Sequence, residues 1–253
     1  MAIRDEAKLI QNEYNKNCPL LMHNYQIFDI YEGNLIKYVL DDLAKQFSPE
    51  TYSSVAHRVA PINLLRRLIQ KLSTLYSEPP KREIKGSKSD EVLIELYQKE
   101  FNMNVNGQLA NEFFNQFKNF AWEPYLTADM QPRLRVIPSD RFFVFSTDRI
   151  DPMRVTHFVK IHEKVIRGEL KKCLYVYTDE EFLITDTDGK VQDDLMQSMG
   201  LDGTNPYGKI PFVYSVRSSH HIMPIPDSDL LNMVKLFPVL LTDLNYATMY
   251  QSF

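Results

Sequence analysis

The sequence predicts an α+β protein: a helical N-terminal part packed on an antiparallel β-rich region, followed by the start of a long C-terminal helix. Three observations lead there. Apolar residues recur at three- and four-residue spacing through the first third, and again after Asp227. Between Leu134 and Val216 they come instead in short aromatic and β-branched runs broken by turn residues. The chain has 253 residues, 44% hydrophobic and 25% charged, which is the composition of a folded protein of one large or two small domains.

The first third reads as helix. Leu35, Ile36, Val39, Leu40 and Leu43 form one face of a helix that starts after Gly33 and ends near Phe47-Ser48-Pro49. Arg58-Val59-Ala60-Pro61 leads into a second helix, striped by Leu65, Leu68, Ile69, Leu72, Leu75 and Tyr76. Pro61 sits in its first turn and Glu78-Pro79-Pro80 stops it. Residues 79–89, PPKREIKGSKS, read as an exposed basic loop. Asp90 then caps a helix carrying Val92, Leu93, Leu96 and Tyr97, Asn102 to Gly107 is a turn, and a further helix runs through Leu109, Phe113, Phe114, Phe117 and Phe120.

After Trp122-Glu123-Pro124 the period changes. Leu134 to Ile137, Phe142 to Phe145, Val155 to Ile161, Cys173 to Tyr177 and Glu181 to Thr185 are short strands. Asp186-Thr187-Asp188-Gly189 is a turn, 192–209 is turn-rich, and Ile210 to Val216 is a last strand. Asp227-Ser228-Asp229 caps a final helix through Leu230, Leu231, Val234, Phe237, Leu240, Leu241 and Leu244, which Pro238 kinks rather than ends. That helix reaches Phe253 without a cap, so the chain reads as part of a longer protein.

Composition narrows the function. Eight glycines are few for a dinucleotide or phosphate-loop enzyme, whose backbone needs them to approach phosphate. Residues 1–90 carry 13 basic and 11 acidic side chains, a net of +2, against an overall −4, so the rest of the chain is acidic. Cys18 and Cys173 form no disulfide framework, a pattern that fits a reduced compartment. The N-terminus lacks the apolar core of a signal peptide, and no apolar run reaches the roughly 18 residues of a membrane span. A soluble protein without a membrane partner is expected.

No motif points to a catalytic residue, a cofactor or a metal. Gly203-Thr204-Asn205-Pro206-Tyr207-Gly208-Lys209 imitates a phosphate loop, but Ile210 and Pro211 stand where the magnesium hydroxyl and the helix should follow. Asp186-x-Asp188-Gly189 imitates a calcium loop, yet its glycine is displaced and position twelve is Gln197. His157 and His162, five apart in a strand, point to opposite faces, and neither cysteine has a second nearby. The basic residues Arg66, Arg67 and Lys71, then Lys81, Arg82, Lys85 and Lys88, are the candidates for contact with DNA or a neighbouring subunit. A solvated helix face is the other reading of the same charges.

The order of four segments adds a family resemblance. PINLLRRLIQKLSTLYSEPP resembles the amphipathic helix of the portal (head–tail connector) proteins of tailed bacteriophages. PRLRVIPSDRFFVFSTDRIDPMR is similar to that family's wing strands, NPYGKIPFVYSVRS to its Asn-Pro-x-Gly-x-Ile-Pro strand, and DSDLLNMVKLFPVLLTDLNYA to its Ser-Asp-Leu helix. The matches cover roughly residues 58–253 in the family's order. The resemblance implies a structural, non-enzymatic subunit of a ring, commonly a dodecamer, at one vertex of the virion head, built in the host cytoplasm. Double-stranded DNA would pass through its channel during packaging and ejection. The implied partners are copies of itself, the terminase large subunit, a major capsid or scaffolding protein and a head–tail adaptor protein. It also implies a division of the chain. Residues 1–125 are a mainly helical wing part with the exposed basic loop 79–89, 126–217 a β-rich wing part, and 218–253 a loop and helix leading to a missing stem. The competing readings are another neck or tail component of the virion, and a phosphate-acting enzyme with an unrecognised site.

Overall fold

A computed structural model describes residues 6–59, 62–76, 78, 80, 86, 88–166, 169–217 and 220–251. The fold is α+β, with helices dominating the N-terminal part and antiparallel strands following. Two compact units are each assembled from segments distant in sequence. The first is Met1–Asn24 with Ser73–Ile225, and the second is Tyr25–Leu72 with Pro226–Phe253. Residues 1–125 thus contribute to both.

The second unit is helical. Helix α1 (Ala7–Asp29) begins in the first unit and ends here, where a π-helical turn, Ile30–Asn34, contains Gly33 at φ +121. That angle is open to glycine and costs other residues strain, so Gly33 lets the chain bend into α2 (Leu35–Gln46). Asp29 secures the bend. Its carboxylate accepts from Asn34 at 2.6 Å and from the Tyr38 hydroxyl at 2.7 Å, with Lys37 at 3.6 Å. Burial would raise the Asp29 pKa, but these partners outweigh burial and hold it below the usual carboxylate value. Leu35, Val39 and Leu43 are buried, as the spacing predicts.

Beyond the expected stop a short helix, α3 (Pro49–Ala56), begins with Ser48 as its N-cap and Pro49 in the first turn. Helix α4 (Leu64–Leu72) is capped by Asn63, whose side chain accepts the Arg66 N–H at 3.0 Å and donates to the Ile30 carbonyl. The expected first-turn residue Pro61 and the stop residue Pro79 lie outside the described residues. Only part of the predicted stripe is covered. Leu65 and Ile69 are buried, whereas Leu68 and Leu72 are exposed; the side chains of Leu75 and Tyr76 lie outside the described ones. The long helix α8 (Ser228–Gln251) runs through Pro238 as predicted. Leu231, Val234, Pro238 and Thr242 form its buried stripe, and Lys235 reaches Asp42 of α2 at 2.8 Å.

The first unit is layered. A four-residue 3-10 turn (Ser73–Tyr76) begins its second segment, and α5 (Lys88–Glu100) and α6 (Met103–Phe117) follow. Two sequence expectations are corrected here. The turn is Phe101 and Asn102, with Asn102 in the left-handed conformation that asparagine tolerates, and α6 already contains Gly107. The helix also ends before Phe120. Lys118 adopts φ +64 and its N–H donates to the Phe114 carbonyl at 3.0 Å, closing the helix without a glycine.

Strands β1 (Asn119–Leu126), β2 (Pro132–Pro138), β3 (Phe142–Phe145), β4 (His157–Ile166), β5 (Glu169–Tyr177) and β6 (Phe182–Asp186) follow, then a short helix α7 (Asp193–Ser198) within the stretch expected to be turns, and β7 (Val213–Val216). Trp122-Glu123-Pro124 is therefore strand, not a break. Strand β7 pairs with β1 only from Asn119 to Trp122, so Pro124 falls where β1 has become an edge, which tolerates a proline. The strands form two antiparallel sheets, of order β2-β1-β7 and β3-β4-β5-β6.

The four-stranded sheet is covered on both faces, which explains why Phe142-Phe143-Val144-Phe145 is buried without alternation. Ile10, Tyr14 and Leu21 of α1 pack over one face near Phe143. Phe142, Val144 and Phe158 meet Ala121, Ile137 and Phe212 on the other, with Phe158 stacked on Phe212 at 4.0 Å. Each such ring, fully buried, contributes about 1.5–3 kcal/mol. Strand β1 alternates accordingly: Phe120 meets Phe114 of α6, while Ala121 faces the larger sheet.

Candidate functional site

The basic residues singled out by the sequence do not form one described site. Arg66, Arg67 and Lys71 are exposed on α4, on the side away from Leu65 and Ile69. The Arg66 guanidinium lies 6.0 Å from the centre of the Tyr31 ring. Lys81, Arg82 and Lys85 lie outside the described residues, and Lys88 opens α5 with its side chain outside the description. Arg66, Arg67 and Lys71 belong to one compact unit and Lys88 to the other.

The two phosphate- and calcium-like stretches are built turns. Asn205 is 3% exposed; its amide nitrogen donates to the Thr178 carbonyl at 2.6 Å and to the Lys209 carbonyl at 2.9 Å. Its Oδ1 accepts the Tyr207 N–H at 3.0 Å. The Asn-Pro-x-Gly segment thereby ties the β5–β6 turn to the approach of β7. In the other turn both Asp186 oxygens are occupied by the chain's own donors: Oδ1 by the N–H groups of Asp188 and Lys190, Oδ2 by the Gln192 amide. Gly189, at φ +79, presses this turn against Ala7 and Gln11 of α1. Among the described residues no three His, Cys, Asp or Glu side chains converge to hold a metal.

What the sequence did not mark is a buried ion cluster between the sheets. Glu123 of β1 and Lys160 of β4, both at least nine-tenths buried, pair at 2.7 and 2.8 Å, and Arg135 of β2 donates to the same carboxylate. The strand registers place them: Glu123 sits opposite Arg135, and Lys160 opposite Phe142 and Tyr175. Burial would raise the Glu123 pKa, but the bonds from Arg135 and Lys160 overcome it and hold the carboxyl below its ordinary value. His162, two residues along on the same face as Lys160, packs against Tyr175 with the ring centres 4.3 Å apart and the planes tilted by 38°. Burial and then the Lys160 charge push its pKa down to about 4, so the ring is neutral near neutrality. Lys164 lies over the other end of this surface, 5.5 Å from the Tyr175 ring centre, and Arg135 lies over Tyr125 at 4.9 Å.

His157 points to the opposite face of β4, as its spacing from His162 predicts. It is 4% exposed and stacked on Phe145 at 4.3 Å. Its Nε2 lies 2.9 Å from Glu6 Oε2 and its Nδ1 2.9 Å from Thr156 Oγ1. A neutral ring satisfies both, donating to Glu6 and accepting from the hydroxyl. Carboxylate, imidazole and hydroxyl in series have the polarity that activates a nucleophile. Here, however, the Thr156 oxygen also accepts the Thr147 N–H at 2.8 Å and lies 3.4 Å from the Phe145 carbonyl. The hydroxyl is a cross-strand tie, and the series anchors the start of α1 to the sheet. Beside it opens a cleft of about 250 Å³ lined by Glu6, His157, Thr178, Asp179, Glu180 and Glu181.

The chemistry of the described polar clusters is therefore that of tethers between layers. No family model matches the chain, and no curated protein matches it.

Proposed function

We propose that this chain is a structural subunit of the portal ring of a tailed bacteriophage, through which double-stranded DNA is packaged and ejected. The observation that carries the reading is the order in which its four portal-like segments meet the fold. The first lies on the capped helix α4. The second is strand β2, a turn at Ser139–Arg141 and the aromatic strand β3, two neighbouring strands assigned to different sheets. The third is the Asn205-locked turn that feeds β7. The fourth is α8, whose first turn Asp227 caps by accepting the Leu230 N–H at 3.3 Å.

A ring needs a subunit that keeps its shape under load at a heterologous interface. Layers tied by buried charge pairs and locked turns suit that demand. In this reading the copies close into a ring, commonly twelve-fold, that docks the terminase motor and later the adaptor protein. Negative-stain microscopy of the full-length protein tests it. Rings of about twelve subunits with a central hole are expected; a monodisperse monomer at every concentration would overturn the proposal.

A further inference from the structure

Helix α8 is apolar on two sides. One side, through Leu231, Val234, Pro238 and Thr242, is buried in its own unit. The opposite side presents Met233, Leu236, Leu240 and Leu244, which are 53–69% exposed. Steps of three, four and four residues set these side chains along one line for about three turns. A single exposed leucine is ordinary on a protein surface, but four apolar side chains in line are a patch.

Two carboxylates close the patch: Asp229 in the first turn, and Asp243 beside Leu240 and Leu244. Both are exposed, and neither has a hydrogen-bond or ionic partner among the described residues. The only cation of the helix, Lys235, is held by Asp42 at 2.8 Å. The exposed charge of α8 is therefore all acidic.

Helix α4, in the same unit, has the opposite sign. Its nine residues include Arg66, Arg67 and Lys71 and no acid. Leu68 and Leu72, one turn apart, are 47% and 60% exposed. Arg67 beside them is exposed and has no ionic partner among the described residues.

These charges select what covers the α8 stripe. A nucleic acid is repelled by Asp229 and Asp243 and gains little from four apolar side chains. An anionic membrane surface is repelled by the same carboxylates. A basic helix with exposed leucines satisfies both the charge and the apolar line, and α4 is such a helix. Within one copy α4 and α8 leave each other's faces exposed although they share a compact unit, so the contact is made between copies. At roughly 200 Å² for a fully exposed Leu or Met, the six side chains offer on the order of 700 Å² of apolar surface. With a polar rim of ordinary proportion that reaches about 1,200 Å², the lower end of specific protein contacts.

We propose that the α8 stripe 233–244 docks on the 67–72 face of α4 in a second copy of this chain, with Asp243 facing Arg67. The two faces differ, so the contact is heterologous and repeats from copy to copy, closing to a ring or running on as a filament. The inference rests on the ring reading and gives it a contact surface.

Sedimentation velocity of the full chain tests it. Arg67→Glu and Asp243→Arg each set like charges against each other and are expected to weaken self-association at least about fivefold. The double variant again pairs opposite charges between copies and is expected to return to within about twofold of the wild type. Leu236→Ser with Leu240→Ser removes the apolar centre and is expected to weaken association at least about tenfold. All of these positions are exposed, and urea midpoints unchanged from the wild type establish that each variant is folded. Wild-type association by the serine variant or by either single reversal would overturn the proposal, as would a double variant no stronger than the single ones. Unchanged association with loss of oligonucleotide binding by Arg67→Glu would overturn it as well and assign α4 to nucleic acid. Micrographs separate this contact from the ring reading. Rings that survive the reversals keep the ring and remove the contact, whereas open filaments lost on reversal and regained in the double variant keep the contact and remove the ring.

Discussion

Lys160→Met removes the cation from the best-buried charge pair and keeps nearly the same volume. In the wild type the ammonium sits 2.7 and 2.8 Å from the two Glu123 oxygens, with both residues under a tenth exposed. Stranding one partner of a buried pair costs about 3–5 kcal/mol. Arg135 still binds the carboxylate after the change, but half of its side chain is in water, so the cost belongs at the lower end, about 3 kcal/mol. With a urea m-value of about 2 kcal/mol/M this moves the unfolding midpoint down by about 1.5 M. Glu123→Leu strands the ammonium instead and is expected to cost as much. The double variant strands neither, because Arg135 is free to turn to solvent, and should lie within about 1 kcal/mol of the wild type. A midpoint shift below about 0.3 M for Lys160→Met would refute the reasoning, as would a double variant as unstable as the two single losses added.

Three further outcomes are expected. Asn205→Ala leaves the carbonyls of Thr178 and Lys209 without their donor and should cost about 2–3 kcal/mol in urea unfolding; Asn205→Asp, which cannot donate, should cost at least as much. Gly189→Ala places a Cβ 3.1 Å from the Ala7 carbonyl at φ +79 and should lower the melting temperature clearly more than Gly200→Ala, which has a similar positive φ but open space. Between its ordinary value of 6.5 and about 4, His162 takes up a proton in the unfolded chain but not in the folded one. Stability should therefore fall as pH drops through that window, by on the order of 2 kcal/mol after allowance for solvent screening. His162→Gln should make that slope shallower, measured as urea midpoints across the pH range, with the remainder left to His157, which burial also holds below its ordinary value. Below 4.5 a second loss follows in both proteins as the Glu123 carboxylate, held lower in the folded state, is protonated.

The helices and strands with a strong apolar period were legible because burial on one face leaves a period in the sequence. Leu35, Val39 and Leu43, and the run Phe142 to Phe145, are instances. Errors fell where a backbone state carried no residue signature. Lys118 ends α6 in a left-handed conformation usually left to glycine, so Phe120 reads as a helical neighbour of Phe117 while it stands in a strand. Leu68 and Leu72 continue the α4 stripe in sequence but remain exposed in the described chain, since period records what a face offers and not what covers it. The candidate site was less legible still. Arg66, Arg67 and Lys71 were visible as charges, whereas Glu123, Lys160 and Arg135 lie in three separate strands and share no motif.

From its order of residues alone this protein determined that it would be α+β, where most strands and helices fall, and that the stretches around Gly189 and Gly203–Gly208 are turns, although Gly107 lies in a helix. Those properties depend on local torsions and on the spacing of apolar side chains within an element. Tertiary structure alone decided that β7 returns to β1, that two sheets share one core, and that Glu123 meets Lys160. Strand register and chain return set these contacts, and a pairing between residues far apart in sequence leaves no period in either segment to read.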